Sequence, residues 1–316
     1  MRQLKIGMVG LGGIAQKAYL PLLSRETGWE LAGIYTPDQR KRNRISNEYR
    51  LRAFNHLDHL AEECDAAFVH SSTDSHYEVV STLMQKGLDV YVDKPLAATV
   101  EESEKLVEQS VQSGRKLMVG FNRRFAPLYV QAKAMAGTPA WVRFDKHRLD
   151  DIGPASYQIT MLDDYLHLVD TVRWLNDDDY MKVSGGAMAI NDANELIHAQ
   201  HTFESSRGMQ CSTGMHRRAG TQRETLEIVT NGRVLTVSDM NILEVEEGGR
   251  RLVTRPSSWD TILKQRGFED AVMHFIESVT GDTPPCIGGE QALESQYLLE
   301  ELLKRHELER FDSRSC

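Results

Sequence analysis

The sequence predicts an α/β chain of two domains: a parallel sheet covered by helices on both faces, then an α+β domain with a large, mostly antiparallel sheet. Three observations predict this. A chain of 316 residues has room for about two domains with separate cores. As far as about residue 122, short β-branched runs alternate with helical stretches of about 10 to 15 residues, which is typical of parallel sheets. Beyond that point, strand-like runs follow one another directly.

The first predicted domain covers residues 1–122 and alternates strands with helices. Its predicted strands are Leu4–Val9, Leu31–Tyr35, Ala66–His70, Leu88–Val92 and Lys116–Gly120. Its predicted helices are Ile14–Leu23, Ser75–Lys86 and Val100–Gln112. The third helix has a clear start signal, because Thr99 can cap it and two glutamates follow in its first turn.

The second predicted domain covers residues 123–316. It opens with the helix Pro127–Ala136, the strand Trp141–His147 and the helix Leu162–Leu175. Asn231-Gly232 is a strong hairpin signal between two later strands. Two helices, Thr261–Thr280 and Gly288–His306, close the domain. The strands predicted before them are Ile197–Phe203, Gly208–Gly214, Glu224–Thr230, Val234–Ser238, Ile242–Glu246 and Arg251–Arg255.

Composition excludes several classes of protein. The 37 Lys+Arg against 46 Asp+Glu give a net charge of −9, which argues against nucleic acid as a partner. No run of about 18 apolar residues occurs, so we expect no membrane span. Cys64, Cys211, Cys286 and Cys316 form no C-x-x-C pair, which suits free thiols in the cytoplasm, with Cys316 exposed. We expect no metal site, and the run Asp177–Asp179 is interpreted as a solvated loop.

A glycine-rich turn follows the first strand. Gly10, Gly12, Gly13 and Ile14 belong to a G-x-G-x-x-A pattern that opens a helix. Such a turn lets the backbone approach a pyrophosphate and directs a helix N-terminus at the anion. Because a strand precedes the pattern and a helix follows it, the sequence predicts a Rossmann dinucleotide-binding domain.

The end of the second strand bears on the choice between NAD and NADP. A domain that binds NAD usually places an acidic residue there, on the ribose 2′-hydroxyl. Thr36 stands at that position and is neutral, so it does not repel a 2′-phosphate, and Arg40 follows closely. We therefore expect NADP, held by Thr36 and Arg40. Alternatively, Asp38 binds the ribose of NAD, and residues 40–44 form a solvated helix face.

Four further motifs follow predicted strands or lie on a predicted helix. They are Ser71-Ser72-Thr73-Asp74-Ser75-His76, Asp93-Lys94-Pro95, Gly120-Phe121-Asn122-Arg123-Arg124-Phe125 and Asp163-x-x-x-His167-x-x-Asp170. In this order, and over essentially the whole chain, they resemble the Gfo/Idh/MocA family of two-domain, nicotinamide-dependent oxidoreductases. Three positions depart from the family pattern. Asp93 replaces a glutamate, Thr73 replaces a proline, and Tyr165 replaces a glycine and is expected to protrude where relatives leave space.

The candidate catalytic residues are Lys94, Asp163 and His167. On an α-helix, Asp163 and His167 are i and i+4 and share a face, so the carboxylate can orient the imidazole. Histidine has an unperturbed pKa of about 6.5, which suits a base that takes the hydroxyl proton and returns it. Lys94 can stabilise the developing alkoxide. The resemblance implies the same Lys, Asp and His set in a cleft between the domains.

The other predicted site residues fall into two groups. Residues expected to contact the cofactor, besides the glycine-rich turn, are Ser72, Thr73, His76, Asp93 and Lys94. Residues expected to contact the substrate are Asn122, Arg124, Tyr165 and Asp170. Three alternatives stay open: His76 caps its helix, Arg124 links the domains, and Asp170 pairs with Arg173 or Arg123.

The predicted function is hydride transfer between NAD(P) and a secondary alcohol or carbonyl of a sugar, polyol or sugar derivative. A dinucleotide-binding sensor without turnover is the first alternative, and the bulk of Tyr165 favours it. A lyase or hydrolase that uses bound NAD transiently is the second. Relatives use the open face of the second sheet for assembly, so the resemblance implies a homo-oligomer, either a dimer or a tetramer.

Overall fold

The computed structural model describes residues 3–25, 28–176 and 180–314, with side chains as far as residue 309. The run Asp177–Asp179 and the thiol of Cys316 therefore lie outside the described residues. The chain forms two compact units. The first contains Met1–Phe121 and Phe268–Leu293, and the second contains Asn122–Gly267 and Glu294–Cys316.

The first unit is built on a five-stranded parallel sheet in the order β2-β1-β3-β4-β5. Its strands are β1 (Leu4–Val9), β2 (Trp29–Tyr35), β3 (Ala66–Val69), β4 (Asp89–Val92) and β5 (Leu117–Val119). The strands β3 and β4 are buried along their whole length, as expected for a parallel sheet that is covered on both faces. The chain leaves β1 toward β2 and returns to β3 on the other side, so the switch point lies at the end of β1.

Helices cover this sheet, and two of them were not predicted. The helices of the first unit up to residue 121 are α1 (Leu20–Leu23), α2 (Gln39–Tyr49), α3 (Leu57–Glu63), α4 (His76–Gln85) and α5 (Val100–Ser113). The helix α2 has Ile45 as its only buried apolar residue, so it lacks the apolar periodicity that reveals a helix in a sequence. The helix α3 is short, with Leu60 and Ala61 buried.

The second unit contains an eight-stranded sheet in the order β13-β12-β11-β10-β6-β9-β8-β7. Every neighbouring pair is antiparallel except β6 and β9, which confirms the predicted mostly antiparallel sheet. The helices α6 (Pro127–Ala136), α7 (Tyr157–Thr160) and α8 (Leu166–Leu175) belong to this unit. The strands are β6 (Pro139–His147), β7 (Met181–Ile190), β8 (Leu196–Ser205), β9 (Gln210–His216), β10 (Arg223–Thr230), β11 (Arg233–Ser238), β12 (Ile242–Glu247) and β13 (Arg250–Thr254).

The strand β7 was not predicted as a separate strand. It contains Gly185 and Gly186, and its pairing with β8 shifts register at two places. Glycines weaken the strand signal and mark bulges, which explains why the sequence pattern failed here.

The late helices differ from the prediction in number and in the unit to which they belong. The predicted helix Thr261–Thr280 is two helices, α9 (Ile262–Gln265) and α10 (Phe268–Thr280), separated at Gly267 with φ +78°. A long final helix, α11 (Gly289–Arg314), follows. In α10, Phe275 packs on the rings of Phe68 and Tyr91, with centroids 5.3 and 5.7 Å away.

The helix α10 therefore belongs to the first unit, and so does the segment after it, where the amide of Val119 donates to the carbonyl of Ile287 at 3.1 Å. The first change of unit falls between Phe121 and Asn122. However, the prediction of an uninterrupted second domain over 123–316 does not describe Phe268–Leu293. An amphipathic pattern reveals that a helix covers a sheet but not which sheet it covers.

Candidate active site

The glycine-rich turn joins the carboxyl ends of three strands of the first unit. The amide of Gly10 donates to the carbonyl of Tyr35 at 2.9 Å, and the amide of His70 donates to Val9 at 2.7 Å. Gly10 has φ +85°, and a β-carbon there would lie 2.2 Å from the nitrogen of Ser71. Only glycine fits this position.

The neighbouring glycines have free space where a side chain would begin. A β-carbon at Gly12 would lie 3.8 Å from the carbonyl of His70, and one at Gly13 would meet nothing within 4 Å. Ile14 is partly exposed beside them. The following segment Ala15–Tyr19 is π-helical, with the amide of Leu20 bonded to the carbonyl of Ala15. This arrangement fits a pyrophosphate at the switch point of the sheet.

Thr36 follows β2, and a side chain of the helix α2 holds it by its backbone carbonyl. The carbonyl of Thr36 accepts from Nη1 of the buried Arg42 at 2.6 Å, and Nη2 of Arg42 donates to Asn55 at 3.0 Å. Arg40 is exposed in the first turn of α2. The carboxylate of Asp38 caps that helix by accepting from the amide of Lys41 at 3.0 Å, and this bond lowers the pKa of Asp38.

A hydroxyl-rich loop follows β3. The hydroxyl of Ser75 donates to the hydroxyl of Ser71 and to the carbonyl of Ser72, both at 2.8 Å. Thr73 begins the single 3₁₀ turn of this loop. The loop therefore keeps a fixed shape at the carboxyl edge of the sheet.

The prediction that His76 contacts the cofactor is wrong. Its ring is 1% exposed, with Nδ1 2.8 Å from the carbonyl oxygen of Pro95 and Nε2 3.3 Å from that of Ser71. Burial lowers the pKa of His76. The alternative of a helix cap is wrong as well, because both ring nitrogens of His76 face carbonyl oxygens of other loops. The imidazole instead connects the loop after β3 to the loop after β4.

Asp93 and Lys94 occupy the loop after β4. The amide of Asp93 donates to the carbonyl of Val69 at 2.9 Å, so the loop starts at the same sheet edge as the hydroxyl-rich loop. Both side chains are half-buried. The first unit thus gathers the glycine-rich turn, Thr36, the loop of Ser72 and Thr73, and Lys94 at the carboxyl ends of its strands.

In the second unit, Asp163 and His167 lie at the start of the helix that the sequence predicted, but this helix is not regular. The segment Met161–Tyr165 is π-helical, since the amide of Leu166 donates to the carbonyl of Met161, five residues earlier. The argument from α-helical i, i+4 spacing therefore does not apply unchanged. Asp163 is exposed and His167 is half-buried. π-turns occur frequently at functional sites.

Asp164, the residue after Asp163, was not predicted and is the most heavily bonded carboxylate of the site. It accepts from Nε and Nη2 of Arg148 at 2.8 to 2.9 Å, and from Lys146 and Arg217. Burial by itself raises the pKa of Asp164, but the cations Lys146 and Arg148 outweigh it and hold this pKa well below its usual range. The sequence signal was the pair of consecutive aspartates.

Arg124 and Asp170 are buried against one another, so the prediction that they contact substrate is wrong. The guanidinium donates to both carboxylate oxygens, from Nε at 2.9 Å and from Nη2 at 2.6 Å. Ser295 donates to the same carboxylate at 2.8 Å. The alternative partner Arg123 is also wrong, since it pairs with Glu224 instead.

Two more predicted substrate contacts are structural. Asn122 is buried and donates to the carbonyl of Arg266 at 2.7 Å. Tyr165 does not protrude, because it is fully buried with its hydroxyl 2.8 Å from Nδ1 of His201 and 2.7 Å from the hydroxyl of Thr213. Burial raises the pKa of Tyr165 and lowers the pKa of His201 to about 4.

Within the residues described above, no three His, Cys, Asp or Glu side chains are grouped as metal ligands. In the same residues, no helix has both the length and the apolar character to cross a membrane.

Comparison with known proteins identifies the relatives of this chain. Residues 4–121 match the oxidoreductase family with the NAD-binding Rossmann fold, Gfo/Idh/MocA, and residues 127–248 match the YceM-like C-terminal domain. The protein YceM of Salmonella typhimurium is 47% identical over 302 residues, 96% of this chain and 98% of that protein. The chain belongs to the Gfo/Idh/MocA family. The resemblance seen in the motifs is confirmed.

The Gfo/Idh/MocA assignment extends to a solved structure. The crystal structure of the dehydrogenase MviM from Clostridium difficile matches with a TM-score of 0.93 and 40% identity, over 96% of this chain and 100% of that chain. The motifs also predict a narrower likeness to bacterial MviM-type oxidoreductases, and this match confirms it. An inositol 2-dehydrogenase/D-chiro-inositol 3-dehydrogenase of Halalkalibacterium halodurans is 29% identical over 192 residues, 57% of this chain and 55% of that protein.

Proposed function

We propose that this oxidoreductase is an NAD(P)-dependent dehydrogenase or reductase acting on a secondary alcohol or carbonyl of a sugar, polyol or sugar derivative. The observation that carries the proposal is the retention of Lys94, Asp163 and His167 in the family motifs, with Lys94 at the carboxyl edge of the first sheet. The inositol dehydrogenase relative supports a carbohydrate-like substrate.

The glycine-rich turn fits the cofactor. Gly10, Gly12, Gly13 and Ile14 would hold the pyrophosphate, because the space beside Gly13 is open and a helix begins there. We propose NADP as the preferred cofactor, with Thr36 and Arg40 at the 2′-phosphate. The engagement of Asp38 as a helix cap supports this choice. Ser72, Thr73, Asp93 and Lys94 would lie on the nicotinamide side.

When bound, the nicotinamide supplies or accepts the hydride. In the oxidation, His167 takes the proton of the substrate hydroxyl, and in the reduction it returns that proton. Asp163 orients the imidazole of His167 and stabilises its charged form. Lys94 donates a hydrogen bond to the reacting oxygen and stabilises its developing charge.

The proposal is tested by absorbance at 340 nm with NADP or NAD and a panel of aldoses, inositols and nucleotide sugars. Substrate-dependent formation or consumption of the reduced cofactor supports it. Binding of cofactor without turnover of any panel member in either direction would contradict it and favour a sensor. The sensor alternative rested on Tyr165, and the burial of this side chain removes that support.

We also propose a homo-oligomer, dimer or tetramer, formed through the open face of the eight-stranded sheet. Trp141 is 49% exposed on this face, in the strand β6. Light scattering after size exclusion measures the assembly. We further propose a cytoplasmic location, which the free thiols of Cys64, Cys211 and Cys286 support.

A further inference from the structure

A group of charged side chains surrounds Asp164 at the ends of β6 and β9. We name it the basic cluster. Its cations are Arg123, Lys146, Arg148 and Arg217, and its carboxylates are Asp151, Asp164 and Glu224. The cluster therefore holds one more cation than carboxylates, although the chain as a whole carries −9.

Two of the four cations are fully matched by carboxylates. Arg123 donates to both oxygens of Glu224, at 2.9 and 2.6 Å. Arg217 bonds Asp164, the carbonyl of Asp151 at 2.9 Å and the carboxylate of Asp151 at 2.7 Å. The other two, Lys146 and Arg148, both bond Asp164, and Nε of Arg148 lies 3.9 Å from the carboxylate of Asp151.

Those two cations, Lys146 and Arg148, keep donors that the cluster does not use. Among the described residues, Asp164 is the only acceptor for the ammonium of Lys146, which carries three N–H groups. Over the same part of the chain, Nη1 of Arg148 has no acceptor within hydrogen-bond distance. The side chain of Lys146 is 9% exposed and that of Arg148 is 27% exposed.

The environment of Lys146 indicates the same shortage of negative charge. Burial lowers the pKa of Lys146 to about 8, and the neighbouring Arg123 adds to this effect. Asp164 and Glu224 act in the opposite direction without compensating. A further anion beside Lys146 and Arg148 would restore the balance.

We propose that Lys146 and Arg148 form a subsite for an anionic group of the substrate, a carboxylate or a phosphate. The inference rests on the proposed function, because Asp164 directly follows Asp163, so the subsite adjoins the residues that would handle the reacting hydroxyl. An arginine with a free Nη1 and a lysine match the oxygens of either anion. The substrate is then an acidic or phosphorylated sugar rather than a neutral one.

Calorimetry in the presence of NADP tests the subsite without requiring turnover. The probes are matched trios: glucose, glucuronate and glucose 6-phosphate, and the same three forms of galactose and of mannose. We expect the anionic member of at least one trio to bind at least about tenfold more tightly than its neutral sugar. Comparing the affinities of the carboxylate and the phosphate member of each trio identifies which anion the subsite binds.

Variants locate the binding. Arg148→Gln is expected to remove the preference for the anion, whereas Arg218→Gln, which removes the same charge from an exposed arginine paired with Asp150, is expected to retain it. A melting temperature for each variant confirms that it is folded. The subsite is overturned if no anion binds more tightly than its neutral sugar, or if Arg148→Gln keeps the preference. The proposed function is decided separately, because the 340 nm assay with aldoses, inositols and nucleotide sugars reports turnover whether or not an anion is preferred.

Discussion

The Nδ1 atom of His76 lies 2.8 Å from the carbonyl oxygen of Pro95, the residue that follows Lys94. A carbonyl oxygen only accepts, so this contact places a proton on Nδ1. The buried imidazole thereby fixes the loop that presents Lys94. His76 thus acts on the site through the backbone of another loop.

Replacing His76 should reduce catalysis more than it reduces cofactor binding. We expect His76→Leu to lower kcat on the order of 10²-fold, because a small displacement of a catalytic group costs about this much. We expect His76→Asn, whose amide can donate to Pro95, to recover most of the rate. Steady-state kinetics and NADP titration give the two readouts. Equal losses of kcat in both variants would refute the role.

Removing Lys94 or His167 should strongly reduce turnover. We expect Lys94→Met and His167→Ala each to lower kcat by about 10²- to 10⁴-fold, the usual contribution of a positioned acid or base. The dissociation constant of NADP should change little. Lys86→Met is the matched control, because Lys86 is exposed and pairs with Asp58. A rate near that of the wild type in either variant argues against the mechanism.

Arg40 should distinguish the two cofactors. We expect the wild-type protein to bind NADP more tightly than NAD, and Arg40→Ala to weaken NADP by about tenfold while leaving NAD unchanged. Fluorescence titration measures both, with NAD serving as the internal control. Tighter binding of NAD would instead support Asp38 as the ribose ligand.

The buried pair of Arg124 and Asp170 should stabilise the second unit only as a pair. Asp170→Asn removes the negative charge against which the guanidinium of Arg124 is buried, so we expect the free energy of unfolding to fall by about 3–5 kcal/mol. Adding Arg124→Met should restore part of it. Lys304→Ala, in an exposed pair with Glu300, should cost less than about 1 kcal/mol. Urea unfolding measures the free energy of unfolding of each variant. An equally small loss for Asp170→Asn and for Lys304→Ala contradicts the prediction.

His201 should make the protein less stable in acid. Its pKa is lowered by burial to about 4, against about 6.5 when unfolded, so between these values only the unfolded chain takes up the proton. The free energy of unfolding should fall by about 3 kcal/mol from pH 6.5 to pH 4 and be insensitive to this group above pH 7. His201→Gln, which can still accept from Tyr165, should flatten that slope. An unchanged slope contradicts the assignment.

Local signals predicted much of the fold and the glycine-rich turn. The turn at Gly10 needs a positive φ and a close strand end, and both requirements belong to a few consecutive residues. The helix α2 was not predicted because one of its buried residues is Arg42, which donates to Thr36 and Asn55 and adds nothing to an apolar face.

The second half of the site depends on distant residues. Lys146 and Arg217 meet Asp164 across separations of 18 and 53 positions, and Tyr165 meets His201 across 36. Such meetings follow from strand register in the eight-stranded sheet, and a single sequence does not specify the register. The motif Asp163-x-x-x-His167 could be found, but the partners that hold it in place could not.

The return of Phe268–Leu293 to the first unit affects how the protein is made. During synthesis on a ribosome, the nucleotide-binding half cannot complete its core when residue 121 emerges, because Phe68 and Tyr91 still lack the ring of Phe275. More than half of the polypeptide has to be translated before that gap is filled. A gene fragment ending near residue 122 should therefore yield an aggregation-prone product. We expect the two units to stay encoded together in one gene.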